Sequence, residues 1–229
     1  MYAKFFKRVL DFVLSLCALI VLSPVFLVLI VLGAIKMKGN PFFTQIRPGK
    51  DEKLFKLIKF RSMTCETDAN GNLLPDEVRL TKYGKFLRST SLDEIPELFC
   101  TLLGSMSLVG PRPQLVRDMV FMTPEQRRRH SVRPGLTGLA QCSGRNNITW
   151  EQKFEYDLIY IEKIAFWGDL KILFRTVGKV LKREDTVREG TVSDMDFGDW
   201  LLEKGGIDRV RYEAGQAEAR ALMEERKNE

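Results

Sequence analysis

The sequence has a single histidine, His130, and only four cysteines, Cys17, Cys65, Cys100 and Cys142, none in a Cys-x-x-Cys pair. Neither a His/Cys zinc centre nor a disulfide-stapled scaffold is supported, and the scattered thiols read as reduced groups on the cytoplasmic side. The glycine-bearing loops match neither Gly-x-x-x-x-Gly-Lys-[Ser/Thr] nor Gly-x-Gly-x-x-Gly, so a P-loop or a dinucleotide-binding fingerprint is not supported. No small-residue cleavage site follows the apolar N-terminal run, which argues against a secretory signal. A large charge of one sign is missing too: 36 Lys plus Arg stand against 30 Asp plus Glu, a net +6. That excess suits an anionic partner, whether phosphate, nucleotide, acidic lipid or nucleic acid, without choosing among them.

What is present suffices for one domain with appendages: 229 residues, 45% of them hydrophobic. From Phe12 to Ile35 the chain runs 24 residues without a charge. As one straight helix that is about 36 Å, long enough to cross a ~30 Å hydrocarbon core. Ser23-Pro24 interrupts it, because Pro24 cannot donate to the Ile20 carbonyl. The Ser23 hydroxyl can satisfy a freed carbonyl such as that of Leu19. Lys4, Lys7 and Arg8 precede the run and Lys36 and Lys38 follow it. Basic residues at both ends favour one side of the membrane for both. A re-entrant hairpin broken at Ser23-Pro24 satisfies both observations; a kinked transmembrane helix is the alternative. Asp11 is within i,i+4 reach of Lys7 and i,i+3 reach of Arg8.

The soluble part begins with a predicted β-hairpin over 41–61, turned at Arg47-Pro48-Gly49-Lys50-Asp51. Alternation puts Lys59 and Arg61 on one face, either reaching a phosphate or lining a solvated edge. Residues 65–78 read as an exposed loop. Arg79 to Arg88 reads as a basic helix or turn beside the membrane, with Arg88 near enough to Asp93 to touch it or its substrate. Ser91-Leu92-Asp93-Glu94 has the spacing of a capping box, which predicts a helix over 91–103 with Asp93 in its first turn. Unpaired N–H groups there favour an anion. A carboxylate held ionised is a usable nucleophile, and its neighbour can hold a metal ion. Acidic residues are common at helix starts, however, and the stretch alone favours that plainer reading.

A short strand over 107–109 leads into Gly110-Pro111-Arg112-Pro113. Two prolines fix the backbone around Arg112, whose guanidinium suits bidentate phosphate binding. Thr123-Pro124-Glu125-Gln126 starts a helix. The run Arg127-Arg128-Arg129-His130 after it reads as a solvated or headgroup-facing surface. Residues 133–138 and 143–147 are glycine-bearing loops of the kind that let a backbone approach a ligand, with Arg145, Asn146 and Asn147 as donors for a nucleotide or sugar. Thr149 to Gln152 opens a helix to about residue 164. Residues 166–183 form an amphipathic helix, basic on some faces and carrying Phe166 and Trp167 on the apolar one; an interfacial helix and a core-packed helix are both consistent with it. After Thr186 the composition changes, and residues 213–227 read as a charged, soluble helix.

Taken together, Lys59-Phe60-Arg61-Ser62-Met63, Ser91 to Leu98, Met106 to Pro113, Arg133 to Gly138 and Gly144-Arg145-Asn146 identify a resemblance covering about residues 1–185. The chain resembles the small monotopic phosphoglycosyl transferases of the bacterial sugar transferase family, and within it the bacillosamine-type initiating enzyme of N-linked glycosylation. The resemblance implies an α+β fold. It comprises a re-entrant membrane helix over 1–38, a compact, mostly helical catalytic domain with a short β-hairpin over 39–185, held also by interfacial amphipathic helices, and an extension over 186–229 outside the match. It implies a Mg²⁺-dependent transfer of a phospho-sugar from a UDP-sugar, an N-acetylated amino sugar such as diacetylated bacillosamine, to polyprenol (undecaprenyl) phosphate, with release of UMP. Asp93 matches the nucleophile and Glu94 the metal-binding carboxylate; Lys59, Arg88, Arg112 and Arg145 are the phosphate and nucleotide candidates. The implied location is the cytoplasmic face of a bacterial inner membrane, in one leaflet, with downstream glycosyltransferases as candidate partners and no nucleic acid. Ser105 departs from the Asp that many relatives carry there. The runner-up readings are a nucleotide-sugar hydrolase using the same carboxylates, and a non-catalytic membrane-anchored scaffold.

Overall fold

The computed structural model describes residues 1–144, 148–182 and 195–228. A π-helical turn at Tyr2–Phe6 leads into α1 (Lys7–Lys36). The hairpin follows as β1 (Phe42–Pro48) and β2 (Leu54–Phe60), with Phe42 opposite Phe60 and Pro48 opposite Leu54. After the exposed loop come α2 (Asp76–Arg79), α3 (Lys82–Ser89), a 3-10 turn (Leu92–Glu94), α4 (Glu97–Leu103) and β3 (Ser107–Val109). Then come α5 (Val116–Met119), α6 (Pro124–Arg127), β4 (Gly135–Thr137), α7 (Leu139–Ser143), α8 (Trp150–Glu162), α9 (Phe166–Lys182), α10 (Phe197–Glu203) and α11 (Arg209–Asn228). The described chain is therefore mostly helical with short sheets, as expected.

The Tyr2–Lys36 stretch is long and apolar enough to cross a membrane. Pro24 does not end α1, which continues through it as one helix. Ser23 Oγ donates to Ile20 O at 2.7 Å, which serves the carbonyl that Pro24 leaves without a donor rather than that of Leu19. Asp11 is buried, but not by pairing with Lys7 or Arg8: it accepts the Leu108 N–H at 3.0 Å. Lys7 reaches Asp169 on α9, and Arg8 donates to the Thr101 and Leu102 carbonyls that end α4. Farther along, Tyr83 Oη donates to Leu29 O, and Phe26 packs on Phe42, Phe60 and Phe99. α1 thus grips the globular body near both ends.

β3 and β4 pair in parallel, Ser107 with Gly135 and Val109 with Thr137. This pairing corrects the reading of 133–138 as a ligand-approaching loop. A Cβ on Gly110 would lie 2.6 Å from Arg133 O, and one on Gly135 would overlap the Gly110 backbone. The glycines let two strands of one chain meet. The surface reading of the basic run 127–130 holds for Arg128, which is exposed, and is corrected for the two residues after it. Arg129 and His130 are buried, and His130 is pushed down to about 3 by burial and by Arg129 and Arg127. α9 buries Asp169 and Ile172 and exposes Trp167, Phe174 and Val177. The described part of the extension is docked. Phe197 and Ala219 join a core with Val116, Met119, Phe121 and Trp150, and Arg226 Nε donates to Leu54 O.

Candidate active site

The predicted capping box at Ser91 does not form. Ser91 has left-handed backbone angles, φ 55° and ψ 18°, and its side chain makes no cap hydrogen bond. Non-glycine residues pay strain for that region. Here it reverses the chain at the end of α3 and starts the 3-10 turn that carries Asp93 and Glu94. Pro96 precedes α4, so the expected single helix over 91–103 is two pieces, with Ile95 N bonded to Leu92 O and Leu98 N to Ile95 O. Pro96 lacks the N–H that would bond Leu92 O and extend an α-helical ladder.

Glu94 is free to leave the backbone because its partners lie elsewhere. Its Oε1 receives Lys59 Nζ at 2.8 Å from the end of β2 and Arg112 Nη2 at 2.7 Å from the Gly-Pro-Arg-Pro turn. Lys59 Nζ also lies 2.9 Å from Oε1 of Glu97, a side chain only 2% exposed. Lys59 is therefore no solvated edge residue. Burial works against the Glu94 carboxylate, yet Arg112 and Lys59 outweigh it and hold Glu94 well below the usual carboxylate range. Asp93, one residue away, goes in the opposite direction. Burial and the Glu94 charge push it up to about 6, although Lys59, Arg88 and Arg112 all pull it down. Arg88 acts on Asp93 through its charge while its Nε donates to Ser62 Oγ at 3.0 Å.

Arg112 leaves from a braced backbone. Gly110 N donates to Thr137 O and Gly135 N to Pro111 O, each at 2.9 Å. Arg47 Nη1 donates to Pro113 O at 3.2 Å, and Arg129 Nη2 to Arg112 O at 2.6 Å. The Tyr160 hydroxyl has one proton to share between two acceptors, Val109 O at 3.0 Å and Asp169 Oδ1 at 2.9 Å. Arg129 is itself paired with Asp157 through both Nε and Nη2. The structure thus joins Lys59, Asp93, Glu94 and Arg112 with the charge of Arg88. Arg145, Asn146 and Asn147 lie outside the described residues. Glu97, Arg47, Arg129, Asp157 and Tyr160 were not legible as site residues. Only Glu97 carries a local signal, since it follows Asp93-Glu94 by one helical turn.

Two adjacent carboxylates with opposite electrostatic fates can divide labour, one as a fixed anion and one as a nucleophile available near neutral pH. Their oxygens are also the hard donors that magnesium takes. Among the described residues no group of three or more His, Cys, Asp or Glu side chains is placed to hold a metal. Magnesium commonly uses one or two carboxylates plus substrate phosphates, so the donor chemistry at Asp93 and Glu94 fits it.

Comparison with known proteins bears on what such a site does. The family model described as bacterial sugar transferase matches residues 2–183. The chain is 49% identical over 178 residues to the sugar transferase EpsL of Bacillus subtilis (strain 168), covering 78% of this chain and 88% of that protein. It is 44% identical to the UDP-glucose:undecaprenyl-phosphate glucose-1-phosphate transferase of Klebsiella pneumoniae, over 76% of this chain and 40% of that one. It is 35% identical to the undecaprenyl-phosphate galactose phosphotransferase of Salmonella typhimurium (strain LT2), over 80% of this chain. The match spans 42% of the length of that galactose enzyme.

Proposed function

The chain belongs to the bacterial sugar transferase family, and from that premise we propose that it transfers a sugar 1-phosphate from a UDP-sugar to undecaprenyl phosphate, releasing UMP. The observation that carries this reading is the split pair. Glu94 is clamped as an anion by Lys59 and Arg112 while Asp93 beside it is raised to about 6. In the first displacement an Asp93 oxygen bonds to the β-phosphorus of the donor, and the bond from that phosphorus to the bridging oxygen breaks, sending UMP away. In the second, a phosphate oxygen of the polyprenol phosphate attacks the same phosphorus and Asp93 is released as carboxylate. Splitting one transfer between two anions into two displacements through an acyl-phosphate is what a covalent nucleophile achieves. Lys59, Arg88 and Arg112 offset the repulsion among donor, acceptor and Asp93. Magnesium, held by Glu94 together with phosphate oxygens, would add to that neutralisation.

Membrane placement follows from the same premise. We assign α1 to a single leaflet, with the site on the cytoplasmic face. Support comes from contacts near both ends of α1, at Arg8 and Leu29, with the same globular body. As a straight helix that interval is about 30 Å, the whole hydrocarbon thickness. A crossing helix would put those contacts on opposite sides of the bilayer. For the donor, the names of two relatives favour a plain hexose, glucose or galactose, ahead of the diacetylated bacillosamine that the motif resemblance implies.

Intact-mass measurement of the full chain after exposure to UDP-glucose, UDP-galactose and UDP-linked N-acetylated amino sugars tests mechanism and donor together. The expected result is one phospho-sugar adduct, mapped to Asp93 and discharged by undecaprenyl phosphate. Steady UMP release without the lipid, with no adduct, would establish the hydrolase instead.

A further inference from the structure

The cleft between α8 and α9 takes no part in the chemistry above. It holds about 190 Å³. Leu139, Ile159 and Ile172 are its apolar lining, and Lys163, Lys171 and Arg175 line it with charge. None of its lining residues is acidic. The three cations are exposed, and among the described residues none of them makes an ion pair or side-chain hydrogen bond. Lys171 and Arg175 stand one turn apart on α9, and Lys163 closes the C-terminal end of α8.

One further feature points to a ligand, and another gives a way to test for it. Gly168 lines the cleft, and a Cβ there would meet nothing within 4 Å, so a larger side chain at this position can be used to fill the space. Beside the cleft, α9 exposes Trp167 and Phe174 at 74% and 70%. Such aromatic side chains belong at the level of lipid headgroups.

We propose that this cleft binds one anionic phospholipid of the surrounding leaflet. Lys163, Lys171 and Arg175 receive its phosphate, and Leu139, Ile159 and Ile172 receive the start of an acyl chain. Three cations in a lining that holds no acidic side chain select an anionic headgroup over a zwitterionic one, and the apolar lining selects a lipid over a free phosphate. Tyr160 lines the same cleft and bonds Val109 O at the foot of the Arg112 turn, so an occupied cleft braces that turn from behind. The proposal rests on the membrane placement of the chain and not on its transfer reaction, so the two fail separately.

The test uses the full chain extracted from mixed phosphatidylcholine–phosphatidylglycerol nanodiscs, with retained lipid counted by native mass spectrometry. Wild type should keep one phosphatidylglycerol in preference to phosphatidylcholine. Removing two charges with Lys171→Gln plus Arg175→Gln should weaken retention about thirtyfold. Gly168→Leu should abolish retention with every charge intact. Gly178→Leu, on the same helix but outside the cleft, where a Cβ also meets nothing within 4 Å, should retain lipid as wild type does. Wild-type retention in Gly168→Leu would overturn the proposal in favour of diffuse surface attraction. Selective retention of added undecaprenyl phosphate over phosphatidylglycerol would overturn it in favour of an acceptor site.

Discussion

Arg112 and Arg129 stand at the two ends of one hydrogen bond, Arg129 Nη2 to Arg112 O, yet they occupy opposite electrostatic worlds. The Arg129 side chain is 1% exposed, and both its Nε and Nη2 sit on Asp157 Oδ2. The Arg112 side chain is 40% exposed and shares a single carboxylate oxygen with Lys59. A fully buried charge must be matched, because burying it unpaired costs several kcal/mol. A half-exposed cation that shares its carboxylate oxygen with a second cation keeps donors for an incoming phosphate. The pair teaches that this protein seals its one-to-one charge pairs beneath the site and leaves shared, partly exposed ones in it.

The largest test of that division is Asp93→Asn. Adduct and transfer should be lost by more than about 10³-fold. The melting temperature should stay level or rise, since a buried carboxylate is removed without loss of a partner. A folded Asp93→Asn protein with full activity would break the division at its centre.

Next is Arg129→Ala, expected to cost about 3–5 kcal/mol of stability by leaving Asp157 buried and unpaired. The double variant Arg129→Met with Asp157→Leu should recover most of that stability in denaturant titration. It should not recover activity, because Arg112 O still lacks its donor. Full activity in the double variant would show that the brace is dispensable.

A smaller effect is expected from pH. Asp93 is pushed up to about 6, and the carboxylate is the nucleophilic form. With that value, about nine tenths is ionised at pH 7 and about one tenth at pH 5, so adduct formation should fall about tenfold between them. A flat profile would show that Asp93 titrates elsewhere. The smallest effect is that of Tyr160→Phe, which removes one bridging hydroxyl and should cost about 0.5–1.5 kcal/mol in thermal unfolding.

Legibility in the sequence follows how local each interaction is. The capping boxes at Thr123 and Thr149 form as their spacing predicts, each side chain accepting from the third residue on. The same spacing at Ser91 misleads, because Glu94 is claimed by Lys59 and Arg112, 35 and 18 positions away in the chain. The hairpin is legible from its turn residues. The parallel pairing of β3 with β4 is not, since nothing near Ser107 announces Gly135. The Arg127–His130 run reads as surface because composition cannot register that Asp157, 28 positions on, buries Arg129.

By itself the sequence determined a chain with one long apolar run interrupted at Ser23-Pro24, a hairpin ending in Lys59, adjacent carboxylates at 93 and 94, and a proline-fixed Arg112. Each of these depends on neighbours a few bonds away, where propensity, periodicity and fixed dihedral angles decide. Only the tertiary structure decided which carboxylate is clamped and which is raised, that Arg129 braces Arg112, and that α1 holds the globular body near both ends. Those outcomes depend on burial and on charges brought together from distant parts of the chain, and through-space energies of that kind have no local signature to read.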